Sequence, residues 1–178
     1  MSREGNEEDV GQLPRGPFDP TRLFRALDQA GVDYIMVGGL AVGAHGAPRG
    51  TKDLDICPDP DDGNLRRLAD FLAEVDARSI DATDFAAGEL PAHDFAGLRG
   101  GGNFRLNTRI GPLDLMQYLA PFEDDTWEAL DRQAEDRHVA GVTIRVCSYE
   151  DLLTMKEAAG RAQDRIDVSN LKAARREL

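Results

Sequence analysis

The sequence predicts an α/β (α+β) domain organised around one sheet, and three observations predict it. Short apolar runs of strand type, such as Tyr34-Ile35-Met36-Val37, alternate with segments whose apolar residues recur at helical spacing. A chain of 178 residues can bury one core, with a small appendage, and is too short for two. Hydrophobic residues make up 41% and charged residues 30%, the balance of a globular chain rather than a disordered one.

The elements follow in order. Residues 1–17 are polar and acidic, without periodicity, and read as a mobile tail ahead of a domain over 18–178. Asp19-Pro20 opens a helix, with Asp suited to the cap and Pro to the first turn. Leu23, Phe24, Leu27 and Ala30 give that helix its apolar face, and Gly31 ends it. A strand over 34–37 leads through Gly38-Gly39 into an Ala-rich helix over 40–45. Residues 53–57 alternate as a second strand, 58–63 turn, and 64–75 carry a stripe of Leu65, Leu68, Phe71, Leu72 and Val75. Residues 79–102, with glycines at 100–102, are expected to be a loop that orders on binding. Strands are expected at 103–107 and 113–116, a helix at 124–130 and a strand at 142–146. Ser148 caps a helix whose buried face is Leu152, Leu153, Met155 and Ala158, and a last helix starts near Ala162.

Charge and composition exclude several classes. With 21 Lys+Arg against 33 Asp+Glu, the net charge is −12, so nonspecific coating of nucleic acid is excluded while a local basic patch is not. No run approaches the roughly 20 apolar residues of a membrane helix. Met1 to Gly11 is polar and acidic, so no secretory signal is expected. Cys57 and Cys147 form neither a disulfide framework nor a CxxC pair, and a cytoplasmic location is expected.

The residues that carry chemistry begin with Gly38-Gly39 and Asp53-Leu54-Asp55-Ile56. On a strand, residues i and i+2 share a face, so Asp53 and Asp55 project together while Leu54 and Ile56 face the core. Two such carboxylates repel each other unless a divalent cation lies between them, and hard oxygen ligands suit Mg²⁺. Gly38-Gly39 offers backbone N–H groups where a helix starts, a natural phosphate position. Asp114, within Leu113-Asp114-Leu115-Met116, supplies a third strand carboxylate that completes a metal shell or takes a proton from an acceptor hydroxyl. Lys156, Arg161, Asp164 and Asp167 fall near one another across a helix junction, where a charged solvated face is the plain alternative. Rival motifs fail: Pro58 stands where a calcium loop needs Gly, and Ala44 where a P-loop needs Lys. His45, His93 and His138 are too dispersed for a local zinc pair.

Together these residues resemble the nucleotidyltransferase superfamily. Arg49-Gly50-Thr51-Lys52-Asp53-Leu54-Asp55, with Lys156 and the later Asp164 and Asp167, resembles the version in AbiEii-like toxins, including the mycobacterial Men-type toxins. The resemblance implies a nucleotidyltransferase fold, a single mixed sheet flanked by helices. It implies that Asp53, Asp55 and Asp114 hold two Mg²⁺, that Gly38 and Gly39 bind the triphosphate, and that Lys156 contacts phosphate. Asp164 or Asp167 would orient Lys156 or the acceptor, and Arg49, Thr51, Lys52 and Arg161 would be further NTP-binding residues. The implied activity is transfer of NMP from an NTP to a tRNA 3′ end, by a toxin held in check by a cognate antitoxin. Such an RNA partner requires Arg49, Lys52, Arg105, Arg109, Lys156, Arg161 and Arg165 to form one positive face. The alternatives are a small-molecule, antibiotic-type nucleotidyltransferase, a protein-modifying one, and a catalytically dead binding module. Gly39 departs from the Ser common in the superfamily, and Gln163 stands where a basic residue often precedes the Asp.

Overall fold

Seven strands build one mixed sheet in the computed structural model, which describes residues 18–80 and 92–176. The strands are β1 (Tyr34–Val37), β2 (Leu54–Pro58), β3 (Arg78–Ser79), β4 (Asn103–Thr108), β5 (Gly111–Met116), β6 (Glu135–Val139) and β7 (Val142–Val146). Their spatial order is β3-β4-β5-β2-β1-β7-β6. The β1·β7 and β2·β5 pairs are parallel and the other four are antiparallel. The helices are α1 (Thr21–Gln29), α2 (Gly38–Ala44), α3 (Asp62–Glu74), α4 (Phe95–Arg99), α5 (Thr126–Asp131), α6 (Tyr149–Ala159) and α7 (Ala162–Arg176). A single mixed sheet flanked by helices is therefore what the chain forms. The described helices include none long and apolar enough to cross a membrane.

The core joins the sheet to its helices through Leu23, Leu27, Ile35, Leu54, Ile56, Leu68, Leu113 and Leu115, all fully buried. In β2 the alternation works as its pattern requires: Leu54 and Ile56 are buried, and Asp55 between them points to the other face. Because β2 lies between β1 and β5, Asp55 has Val37 as its register partner on one side and Asp114 on the other. That register places the end of β1, the start of α2 and two strand carboxylates in one spot.

Three expectations need correction, and one strand was not foreseen. α1 begins at Thr21, and Asp19 caps it from two residues away, its carboxylate accepting from the Thr21 amide at 3.0 Å and hydroxyl at 2.7 Å. α2 begins at Gly38 rather than Leu40, so both glycines lie in its first turn. Within 79–102, β3 pairs with β4, and α4 forms on an Asp94 cap with Leu98 fully buried, so this stretch is not one loop. Residues 81–91 of it lie outside the described residues, as does the tail expected at 1–17. β6 had no expectation at all. Its sequence, Glu-Asp-Arg-His-Val, is an edge strand with little apolar content, made by a two-residue turn in which Ala140 and Gly141 both have positive φ.

Asn64, 1% exposed at the start of α3, ties the residue ahead of β1 to the residue after β2, at one end of their antiparallel pair. Its Oδ1 accepts from the Asp33 amide at 2.8 Å, while Nδ2 donates to the carbonyls of Asp33 (2.9 Å) and Asp59 (2.8 Å). Asn64→Ala would remove three hydrogen bonds, leaving the Asp33 amide and the Asp59 carbonyl without this partner, and is expected to cost about 2–4 kcal/mol in a urea unfolding titration.

Candidate active site

The site is assembled where β1 ends. Gly38 has φ +66° and no room for a side chain: a Cβ there would stand 2.0 Å from Asp55 Oδ2. Only glycine lets the β2 carboxylate lie against this turn. The Gly39 amide beside it favours the ionised form of the Asp55 carboxylate. The space a Gly39 Cβ would fill is taken by Thr51 Oγ1, at 2.9 Å, and Arg49 Nη2, at 3.0 Å. A serine here would crowd both side chains, which accounts for the departure to glycine at this position. Thr51 in turn donates to Asp53 Oδ1 at 3.1 Å and so steadies the carboxylate that precedes β2.

Three carboxylates share this end of the sheet. Burial, and then the charges of Asp53 and Asp114, push the Asp55 carboxyl up to about 6. Burial and the charge of Asp53 likewise push Asp114 up to about 6, against the opposing pull of Arg105, whose Nε lies 3.5 Å from Asp114 Oδ2. Arg105 is the direct register partner of Asp114 across β4 and β5. Asp53, beside two carboxyls whose proton affinity is raised, completes a set of like charges that a hard divalent cation would relieve. Among the described residues no group of three or more His, Cys, Asp or Glu side chains is placed so that it could hold a metal ion by itself. An open set is what Mg²⁺ uses, since it binds through one or two carboxylates and completes its octahedron with water and phosphate oxygens. The donor chemistry therefore fits Mg²⁺ delivered with a nucleotide.

Beside the carboxylates lies a buried ion-pair cluster. Lys156, 8% exposed, sits between Asp164 Oδ1 at 3.0 Å and Asp167 Oδ2 at 2.8 Å. Asp167, fully buried, also accepts a two-pronged contact from Arg49, Nε to Oδ1 at 2.7 Å and Nη2 to Oδ2 at 3.1 Å, and a bond from Gln163 Nε2 at 2.9 Å. Asp164 accepts from Arg161 Nε at 2.7 Å. Burial opposes ionisation of both aspartates. It is outweighed by the bonds from Arg161 and Lys156 at Asp164, and from Arg49, Lys156 and Gln163 at Asp167, so both carboxyls lie below their ordinary range. Three cations against two anions leave one positive charge, and Lys156 acts across space on Asp55. Gln163, where a basic residue was expected, serves as one more donor to Asp167.

The structure thus gathers Gly38, Gly39, Arg49, Thr51, Asp53, Asp55 and Asp114 at one place, with Lys156, Arg161, Asp164 and Asp167 adjoining. Lys52 is exposed on the segment between Thr51 and Asp53. Of the seven basic residues expected to form one positive face for RNA, four carry acidic partners. Lys156 is buried, and Arg49, Arg105, Lys156 and Arg161 are all paired with aspartates. Arg109 donates to the Glu74 carbonyl and Arg165 to the Gly160 carbonyl. Two hollows, of about 570 and about 420 Å³, lie away from the carboxylates, one against Arg66, His93 and Phe95 and the other against Tyr34, Trp127 and Arg145.

This architecture is the fold of nucleotidyltransferases. The chain is similar to the crystal structure of the lincosamide antibiotic adenylyltransferase LnuA, lincomycin-bound, with a TM-score of 0.58 at 18% identity over 89% of this chain and 99% of that one. It is also similar to an antigenic nucleotidyltransferase-like protein from Paracoccidioides brasiliensis, with a TM-score of 0.51 at 17% identity over 85% of this chain and 72% of that one. The sequence matches no family model and no curated protein.

Two consequences follow from the carboxylate geometry. Asp55 and Asp114 hold protons more tightly in the folded chain than in the unfolded one, so between about pH 4 and pH 6 the folded state binds more protons. Their contribution to stability therefore falls as pH rises through that window. Asp55→Asn is expected to flatten that fall and raise the melting temperature of the metal-free protein at pH 7.5, by about 2–4 °C for each kcal/mol of repulsion removed. A thermal-shift series against pH reads both, and a lower melting temperature in the variant would contradict the repulsion. Gly38→Ala, by contrast, must displace Asp55, and is expected to abolish any Mg²⁺-dependent thermal shift seen with nucleotide.

Proposed function

We propose that the chain is a Mg²⁺-dependent nucleotidyltransferase that moves NMP from an NTP to an acceptor hydroxyl and releases pyrophosphate. The observation that carries this reading is the register-locked pair Asp55 and Asp114, joined by Asp53 and pressed against the Gly38-Gly39 turn. Asp53, Asp55 and Asp114 would hold Mg²⁺, which supplies neutralising charge for the phosphates and for the attacking oxygen. The acceptor oxygen forms its bond to the α-phosphorus as the bond from that phosphorus to the bridging oxygen breaks, and the electron pair leaves with pyrophosphate. Asp114, where it is not itself on the metal, is the carboxylate placed beside Asp55 to take the hydroxyl proton. Arg49, Thr51, Lys52 and Arg161, with the Gly38-Gly39 turn, form the surroundings of the triphosphate.

For the acceptor, a hydroxyl-bearing small molecule is the reading the charges favour. Of the seven basic residues that an RNA partner needs, four are offset by aspartate charge, which lowers the positive field along an RNA backbone while leaving individual guanidinium donors for a single triphosphate. The likeness to LnuA over nearly all of that chain, a lincosamide adenylyltransferase bound to lincomycin, supports the same reading. The second reading, a toxin acting on a tRNA 3′ end and restrained by an antitoxin, is supported by the Arg49-to-Asp55 motif and by the meeting of Lys156 with Asp164 and Asp167.

Purified protein with Mg²⁺ and each α-labelled NTP in turn separates the two readings when offered total tRNA or a panel of hydroxylated antibiotics. Label is expected on a small molecule, with one nucleotide preferred, and is expected to vanish with Asp53→Ala. Label on tRNA alone would support the toxin instead. Growth arrest on expression that Asp53→Ala abolishes would be its cellular counterpart.

A further inference from the structure

Lys156 is the residue whose surroundings least match its expected contact with phosphate. An ammonium has three protons to give, and two are committed to Asp164 and Asp167 at 3.0 and 2.8 Å. The side chain is 9% exposed, enclosed where α6 meets α7. Each of its two aspartates carries an arginine in turn. Asp164 accepts from Arg161 both at Nε, 2.7 Å, and at the backbone amide, 3.3 Å. Asp167 takes the Nε and Nη2 edge of Arg49, while Arg49 Nη1 donates to the Gly50 carbonyl at 2.9 Å.

Three of the five guanidinium protons of Arg49 are thereby assigned, and two remain. Its Nη2 lies 3.0 Å from the point where a Gly39 Cβ would stand, beside the turn that holds Asp55. Arg161 keeps most of its side chain in solvent, at 77% exposed, and lies within electrostatic reach of Asp55. Lys156 keeps one proton but is enclosed, whereas the two arginines tied to its aspartates keep more donors beside the carboxylates.

We propose that Lys156 is a positioning residue, and that Arg49 and Arg161 are the cations that meet the β- and γ-phosphates of the nucleotide. Lys156 draws Asp164 and Asp167 together, and each aspartate orients one guanidinium. This assignment rests on the nucleotide reading above. A guanidinium already fixed by a buried carboxylate loses little freedom on meeting a phosphate, whereas a free arginine must be ordered at that moment. Without Lys156, two buried carboxylates would face each other unscreened, and the arginines would lose their fixed places.

The test is a set of calorimetric affinities for Mg·ATP and for AMP. Arg49→Ala and Arg161→Ala are each expected to weaken Mg·ATP about 10–100-fold, as for a lost charge-assisted hydrogen bond, and to leave AMP within about twofold. Lys156→Gln is expected to weaken Mg·ATP to a similar degree in the intact protein. In the Arg49→Ala/Arg161→Ala background it should cause no more than about a twofold further loss, because its effect passes through those arginines. Should Lys156→Gln fail to fold, Asp167→Asn keeps the shape of the cluster and is expected to add no more than about twofold to Arg49→Ala. A further tenfold loss in either background would overturn the assignment while leaving nucleotide binding intact. Wild-type protein that binds no Mg·ATP would overturn the assignment and the nucleotide reading together.

Discussion

Everything at this site depends on mutual repulsion that the sheet register does not allow to relax. Asp55 cannot move away from Asp114, because β2 and β5 fix them side by side, and it cannot retreat toward Gly38, where its Oδ2 already fills the space of a side chain. Asp53 follows one residue ahead of the strand, steadied by Thr51. A fold gains nothing in stability from such an arrangement. Burial and like charge both resist ionisation, and the fully buried leucine and isoleucine on the opposite face of β2 must offset that cost. Strain of this kind persists where a ligand relieves it, and a divalent cation bridging to phosphate is the ligand whose chemistry matches.

A second layer answers the first. The excess positive charge of the Lys156 cluster stands next to the excess negative charge of the carboxylates, and the two are tied by Arg49, which reaches from the segment ahead of β2 to Asp167 on α7. The C-terminal helix pair thereby acts as a brace for the site. α6 and α7 turn about Gly160, in the left-handed region at φ +60°, so the break between them brings Lys156 over Asp164 and Asp167. The overall charge of −12 is compatible with handling a triphosphate because positive charge is concentrated where it is needed and balanced at close range.

Much of this was legible in the sequence, for identifiable reasons. β1 and β7 were readable end to end as short apolar runs, and β2 to within a residue. Period-two alternation put Leu54 and Ile56 inside and left the carboxylates outside, as β2 shows. The closeness of Asp114 to Asp55 was only implied, since parallel pairing between strands about sixty residues apart leaves no local signal. Arg49 and Asp167 are 118 positions apart, and nothing in either neighbourhood announces the other. Lys156 stands out by its place across a helix junction from Asp164 and Asp167, but its burial depends on packing that spacing cannot convey. β6 escaped notice because an edge strand of charged residues lacks the apolar alternation that marks a strand, and an Ala at positive φ is not a turn signal. The aspartate partners of Arg49, Arg105, Lys156 and Arg161 escaped notice for a related reason: basic residues can be counted in a sequence, but their acidic partners become visible only in the fold.

The most direct test of the account is a crystal grown with Mn²⁺ and a non-hydrolysable ATP analogue, with the metal located by its anomalous scattering. The account predicts an anomalous peak within coordination distance of Asp55 and of at least one of Asp53 and Asp114, shared with phosphate oxygens lying against the Gly38-Gly39 turn. Nucleotide bound elsewhere, or bound here with no metal on these carboxylates, would contradict it.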